Sequence, residues 1–184
     1  MKTTHFDGFK WPPAPSHGPL RVRNQYFHDV MVDWDALRNV ATALRAIDCR
    51  LDERVGYGHS HMIRKVVFTD DICWIVRLPM PEMNFKGDFI PCRQYWTEDK
   101  AREMQSEIDT MSFVLTTSTV PVPRIFASNT RPENPVGVPY MLMECVFGNS
   151  VRHMGGIAKP YDDAFLRSLA RIHVPSISKI AAYT

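Results

Sequence analysis

An arginine inside an apolar strand sequence is the first residue of this chain whose type demands chemistry. The stretch Ile72-Cys-Trp-Ile-Val-Arg77-Leu is rich in β-branched and aromatic residues, the composition of a strand. By strand alternation, Trp74, Val76 and Leu78 lie on one face, and Cys73, Ile75 and Arg77 on the other. A guanidinium there is expensive to bury unpaired, so it calls for an acid. Glu107 is the candidate. Ala101, Met104, Ile108, Met111 and Leu115 recur at helical spacing, and Glu107 falls on the border of that stripe, where a side chain can reach a sheet. Alone, such a glutamate reads as a solvated flank; with Arg77 upstream, pairing is the preferred reading. Gly56-Tyr57-Gly58 precedes both. Glycines there let backbone N–H groups approach phosphate oxygens, although a plain turn also contains such a pair.

Other candidates carry less. His59 and His61, two apart on an extended segment, point to one side. No third ligand is spaced for a metal, which favours surface histidines or ones touching a bound phosphate. His5-Phe6-Asp7 matches a catalytic His-x-Asp by letters alone, without structural context. Asp33 before an apolar-periodic run reads as a helix cap rather than a metal ligand. His173, alone on a helix, reads as packing or surface.

The elements that must position Arg77 and Glu107 follow in order. Residues 1–20 hold Pro12, Pro13, Pro15 and Pro19, an extended and poorly ordered leader. A first helix is predicted over 33–47, from Trp34, Leu37, Val40, Ala41, Leu44 and Ile47. A strand over 51–55 leads into the glycine turn. A hairpin over 62–69 and 72–80 bends around Thr69-Asp70-Asp71. Residues 79–93 read as a mobile surface loop. Thr97 opens the long helix, with Glu98 and Asp99 complementing its dipole. Val120-Pro-Val-Pro123 ends that helix. Strands follow over 124–128 and 138–146, the second a buried run of Met and Leu whatever its function. A last helix is predicted over 160–173, with Phe165, Leu166, Leu169 and Ile172 on its apolar side.

Composition bounds the function classes. The chain has 184 residues, 45% hydrophobic and 23% charged, an ordinary globular balance. A net charge of +2 and the lack of basic runs argue against nucleic acid and anionic membranes as partners. The four cysteines, 49, 73, 92 and 145, form no Cys-x-x-Cys and read as reduced thiols. With no 18-residue apolar run and no signal-like N-terminus, a cytoplasmic location is expected.

Taken in order, these stretches resemble the aminoglycoside-phosphotransferase-like branch of the kinase superfamily, most closely its fungal members. The resemblance spans residues 33–184. It rests on Trp74-Ile-Val-Arg77, Ser106-Glu107-Ile108, Val120-Pro-Val-Pro123 and Tyr140-Met-Leu-Met-Glu144. It implies an α+β fold: a kinase-like small lobe over 33–147, with an antiparallel sheet of about five strands and a long helix. A leader over 1–32 precedes it. Residues 148–184 would exit the hinge at Gly148 and begin an incomplete helical lobe. The implied cofactor is ATP. Gly56 and Gly58 would cover its phosphates, and Arg77, where kinases carry lysine, would contact them while Glu107 holds it. The Arg fork has a different geometry from an ammonium. The backbone of Glu144, Cys145 and Val146 would line the adenine.

In the intact family the γ-phosphate passes to a small-molecule hydroxyl. A His-x-Asp-x-x-x-x-Asn loop and an Ile-Asp-Trp segment supply the catalytic Asp and hold Mg²⁺. Neither motif follows residue 173, so the expectation is an ATP-binding part that is inactive alone. The alternative is a non-catalytic, pseudokinase-like binding module, with self-association through a surface left without its second lobe.

Overall fold

The protein is described here from a computed structural model over residues 31–57 and 60–146, with the single positions Gln25 and Arg167. The readings on the leader, Gly58, His59, Gly148, the helix over 160–173 and His173 lie outside these residues. Among the described residues eight elements run α1 (Trp34–Arg45), β1 (Cys49–Tyr57), β2 (His61–Phe68), β3 (Cys73–Pro79), α2 (Cys92–Tyr95), α3 (Glu98–Thr117), β4 (Ile125–Asn129) and β5 (Tyr140–Glu144). The class is α+β. One antiparallel sheet has the order β1-β2-β3-β5-β4.

Local chemistry sets the helix ends. Asp33 caps α1, its carboxylate accepting from the Ala36 amide at 2.8 Å, and so satisfies one of the free N–H groups of the first turn. At the far end Ala46 adopts φ 54°, the left-handed stop usually given to glycine. Thr97 caps α3 through Lys100 N. The β2–β3 turn closes through Phe68 N to Ile72 O at 2.9 Å, with Asp71 at φ 65°.

The sheet is covered on both faces. Met62, Val66, Trp74, Val76, Leu78 and Leu142 pack under Leu37 and Ala41 of α1. Trp74 lies at the centre, stacked on Phe126 at 4.1 Å and edge-on to Phe68 at 4.8 Å. Arg45 lies over Phe68 and forks onto Asp70 at 3.0 and 2.8 Å. The opposite face meets α3, where Met104 and Ile108 pack on Met141, and Met111 on the Ile75, Met143 and Cys145 cluster. Burial of these apolar faces, at roughly 25 cal/mol per Å², holds the three layers together.

Three expectations need correction. Strand β1 extends to Tyr57 rather than stopping at 55, so Gly56 is a strand residue paired with Ile63. The 79–93 segment is not a bare surface loop. It holds the Met83–Phe89 bridge, a turn in which Gly87 N and Asp88 N bond to Asn84, and the start of helix α2. Cys92 and Tyr95 of α2 are buried, the Tyr95 hydroxyl donating to Met80 O at 3.3 Å; an apolar Cys and Tyr among prolines were enough to anchor it. Third, the apolar stripe of α3 is covered as far as Met111: Ala101, Met104 and Ile108 are buried and Met111 packs on the Ile75 cluster, whereas Leu115 is exposed.

Candidate functional site

Strand register assembles the site from residues far apart in sequence. One cross-strand row runs Gly56, Ile63, Arg77, Met141 and Ser128. The next runs Lys65, Ile75, Met143 and Ile125. Strands lie ~4.8 Å apart and residues two apart on a strand ~6.6 Å. Gly56 is therefore two strands from Arg77, and Ile75 one row away on the same face. Gly56 is buried.

Arg77 and Glu107 meet. Nη1 of Arg77 donates to Oε1 of Glu107, an ion pair joining β3 to α3. The helix reaches the sheet here because Met104 and Ile108, on either side of Glu107 along the helix, are the residues packed on Met141. The two side chains keep 23% and 40% of their exposure, so solvent screens the pair and its own worth is ~0.5–1 kcal/mol. Its effect is positional: it fixes a planar fork.

The other end of that fork is held by His61, whose Nδ1 lies 3.3 Å from Arg77 Nη2. A guanidinium has only donors, so Nδ1 accepts and the ring proton sits on Nε2. Burial, and then the Arg77 charge, push the His61 pKa below its ordinary value, with Glu107 opposing. His61 is thus neutral at neutral pH. It is the first residue of β2, one position before the strand expected to start at 62.

A cleft of about 490 Å³ opens beside this cluster, between the end of β3, Met80 to Glu82 and the first half of α3. Arg77 and Lys100 line it together with Glu82, Glu103 and Glu107. Lys100 ion-pairs with Glu82 and lies 4.9 Å over the Tyr95 ring. With His61 neutral, acids outnumber cations here. The cleft therefore suits a ligand whose negative charge is partly neutralised better than a bare polyanion. Lys100 carried no signal in the sequence, where it reads as an ordinary first-turn helix residue.

Along the next row the same face turns apolar. Ile75, Met143 and Cys145 form a cluster bordered by Ile63, Cys73, Met111 and Ile125. Of the residues expected at the adenine edge, Glu144 is exposed, and its amide already donates to Arg124 O at 2.8 Å. Its carboxylate accepts from Arg124 N at 3.2 Å. Cys145 faces into the apolar cluster and Val146 is exposed. Burial raises the Cys145 thiol pKa to about 11. Among the described residues no three His, Cys, Asp or Glu side chains are grouped to hold a metal ion. No described helix is long and apolar enough to cross a membrane.

Comparison with known proteins gives a short match. The chain is 50% identical over 46 residues to subtelomeric hrmA-associated cluster proteins of two Aspergillus fumigatus strains. That stretch is 25% of this chain and 9% of the relatives' own length. No family model matches. No solved structure matches.

Proposed function

We propose that this chain binds a purine nucleoside triphosphate on the α3-facing side of its sheet, as the ATP-binding part of an aminoglycoside-phosphotransferase-like protein. The observation that carries the reading is the Arg77 fork, held between Glu107 and His61 beside an apolar shelf. A flat heteroaromatic base needs apolar contact on its faces, and Ile63, Ile75 and Met143 offer it. Phosphates need fixed donors, and of its five N–H groups Arg77 has three engaged, with Glu107, Met141 Sδ and His61. Gly56 stands in the row of Arg77, two strands away and itself buried, and adds no side chain to that face. The excess of acid in the cleft favours a metal-complexed nucleotide over the free tetra-anion. No ligand set for Mg²⁺ is assigned to this chain. Transfer to a small-molecule hydroxyl belongs to the intact family and needs residues outside this site.

Titration of MgATP by calorimetry tests the reading. Saturable binding that weakens roughly tenfold or more in Arg77→Ala is expected, as for loss of a charge-assisted contact. Glu107→Gln should weaken it roughly two- to fivefold, since that pair is half exposed. Absence of binding at millimolar MgATP rejects the proposal.

The second reading, a non-catalytic interaction module, is favoured by the exposed Phe113 and Leu115 on α3 and by Val146 after β5. Exposed apolar groups of this size suit a partner surface. Sedimentation over a concentration series decides for self-association or against it.

A further inference from the structure

The four cysteines divide by sheet face. Cys49 and Cys92 pack with the core under α1. Cys73 and Cys145 belong to the cluster on the α3 side. The β3–β5 register ends at Trp74 and Glu144; continued one step outward, it would bring Cys73 opposite Cys145. Trp74 pairs with Glu144, and the Glu144 amide points away from β3, to Arg124 of the segment leading into β4. In a ladder continued by one pair, Cys73 and Cys145 would have Cα atoms about 5.5 Å apart, inside the ~4.4–6.8 Å window of a disulfide, and the two side chains share one apolar cluster. Their Cβ atoms start roughly 1 Å too far apart for the bond. The ladder ends at Glu144, the last residue of β5, so among the described residues no strand pairing holds the Cys145 backbone at ladder spacing. The electrostatics agree with the proximity: Cys73 is the second contributor, after burial, to the raised pKa of Cys145.

We infer that Cys73 and Cys145 form an oxidisable thiol pair, which a disulfide oxidant of the glutathione type converts into a cross-strand disulfide between β3 and the segment leaving β5. Cys73, partly exposed, is the entry point, and buried Cys145 resolves. The Cys73 thiolate attacks one sulfur of glutathione disulfide, the glutathione S–S bond breaks, and one glutathione leaves as thiolate and takes a proton. The Cys145 thiolate then attacks Cys73 Sγ and expels the second glutathione. Two protein thiols are oxidised and one glutathione disulfide is reduced to two glutathiones. Burial raises the pKa of both thiols, so the exchange quickens with alkaline pH.

The test is peptide mapping without reduction, after the full chain has been treated with glutathione disulfide and its remaining thiols alkylated. The expected result is a linked pair of peptides holding Cys73 and Cys145, with no glutathione retained and Cys49 and Cys92 alkylated. The Cys49→Ser control should keep the link, and Cys145→Ser should retain one glutathione on Cys73. A stable glutathione adduct on the unsubstituted chain, a link through Cys49 or Cys92, or four unreacted thiols overturns the inference.

A regulatory role for the bond rests on the nucleotide reading above. The oxidised chain is expected to bind MgATP roughly tenfold more weakly, as if one backbone contact at Cys145 were lost, and a thiol reductant should restore it. Equal affinity in both redox states overturns the regulatory role. No affinity in either state counts against the nucleotide reading alone, because the cross-link has its own readout.

Discussion

Two side chains, His61 and Glu107, share one guanidinium, and that makes Arg77 sensitive to protonation at His61. The His61 pKa lies below its ordinary value of about 6.5, so on acidification the unfolded chain takes up this proton before the folded one. The contribution of neutral His61 is therefore complete above about pH 6.5 and is lost as pH falls through the depressed folded-state value. Protonated His61 would set two cations against each other within hydrogen-bonding distance. Chemical denaturation at pH 7.5 and 5.5 should show the natural chain losing more stability than His61→Gln; identical losses would mean that His61 is solvated. At this scale the sequence was informative for Arg77 and Glu107, because one breaks an apolar alternation and the other borders an apolar stripe. His61, expected on an extended segment, falls one residue outside the strand read from 62, while cross-strand pairing with Pro79 makes it the first residue of β2.

Among elements, α1 and the 130–138 connection depend on one glycine. Gly137 has φ 83°, and a Cβ there would stand 3.0 Å from Met31 O. Its neighbour Val136 accepts from Asp33 N at 2.9 Å, beside the cap of α1. Gly137→Ala should cost ~1–3 kcal/mol in denaturant unfolding, from strain and the displaced carbonyl; a change below ~0.5 kcal/mol would show that the connection relaxes freely. Both long helices and the β2–β3 hairpin were legible, since their caps, apolar stripes and turn residues act locally. The side of the sheet that α1 covers was not, because that choice depends on Leu37 and Ala41 meeting Trp74 and Val76 across the fold. Nor was α2, four residues long, which is held by tertiary burial of Cys92 and Tyr95 rather than by helix propensity.

For the whole molecule, the sheet and α3 together bring a cation, an acid and an apolar shelf to one face, and no local window of sequence displays that convergence. Strand order and register create it, which is why the pairing of Arg77 with Glu107 could be anticipated while Lys100, Glu82 and the cleft could not. The match to known proteins spans only 46 residues, so the functional reading stands on this geometry. The most direct test of it is photolabelling of the full chain with an azido-adenine nucleotide in the presence of Mg²⁺, followed by peptide mapping with and without excess ATP. The account predicts ATP-protected labelling in the peptides carrying Ile63, Ile75 and the 143–146 segment, lost in Arg77→Ala. Labelling on the α1 side of the sheet, or labelling that ATP does not displace, would contradict it.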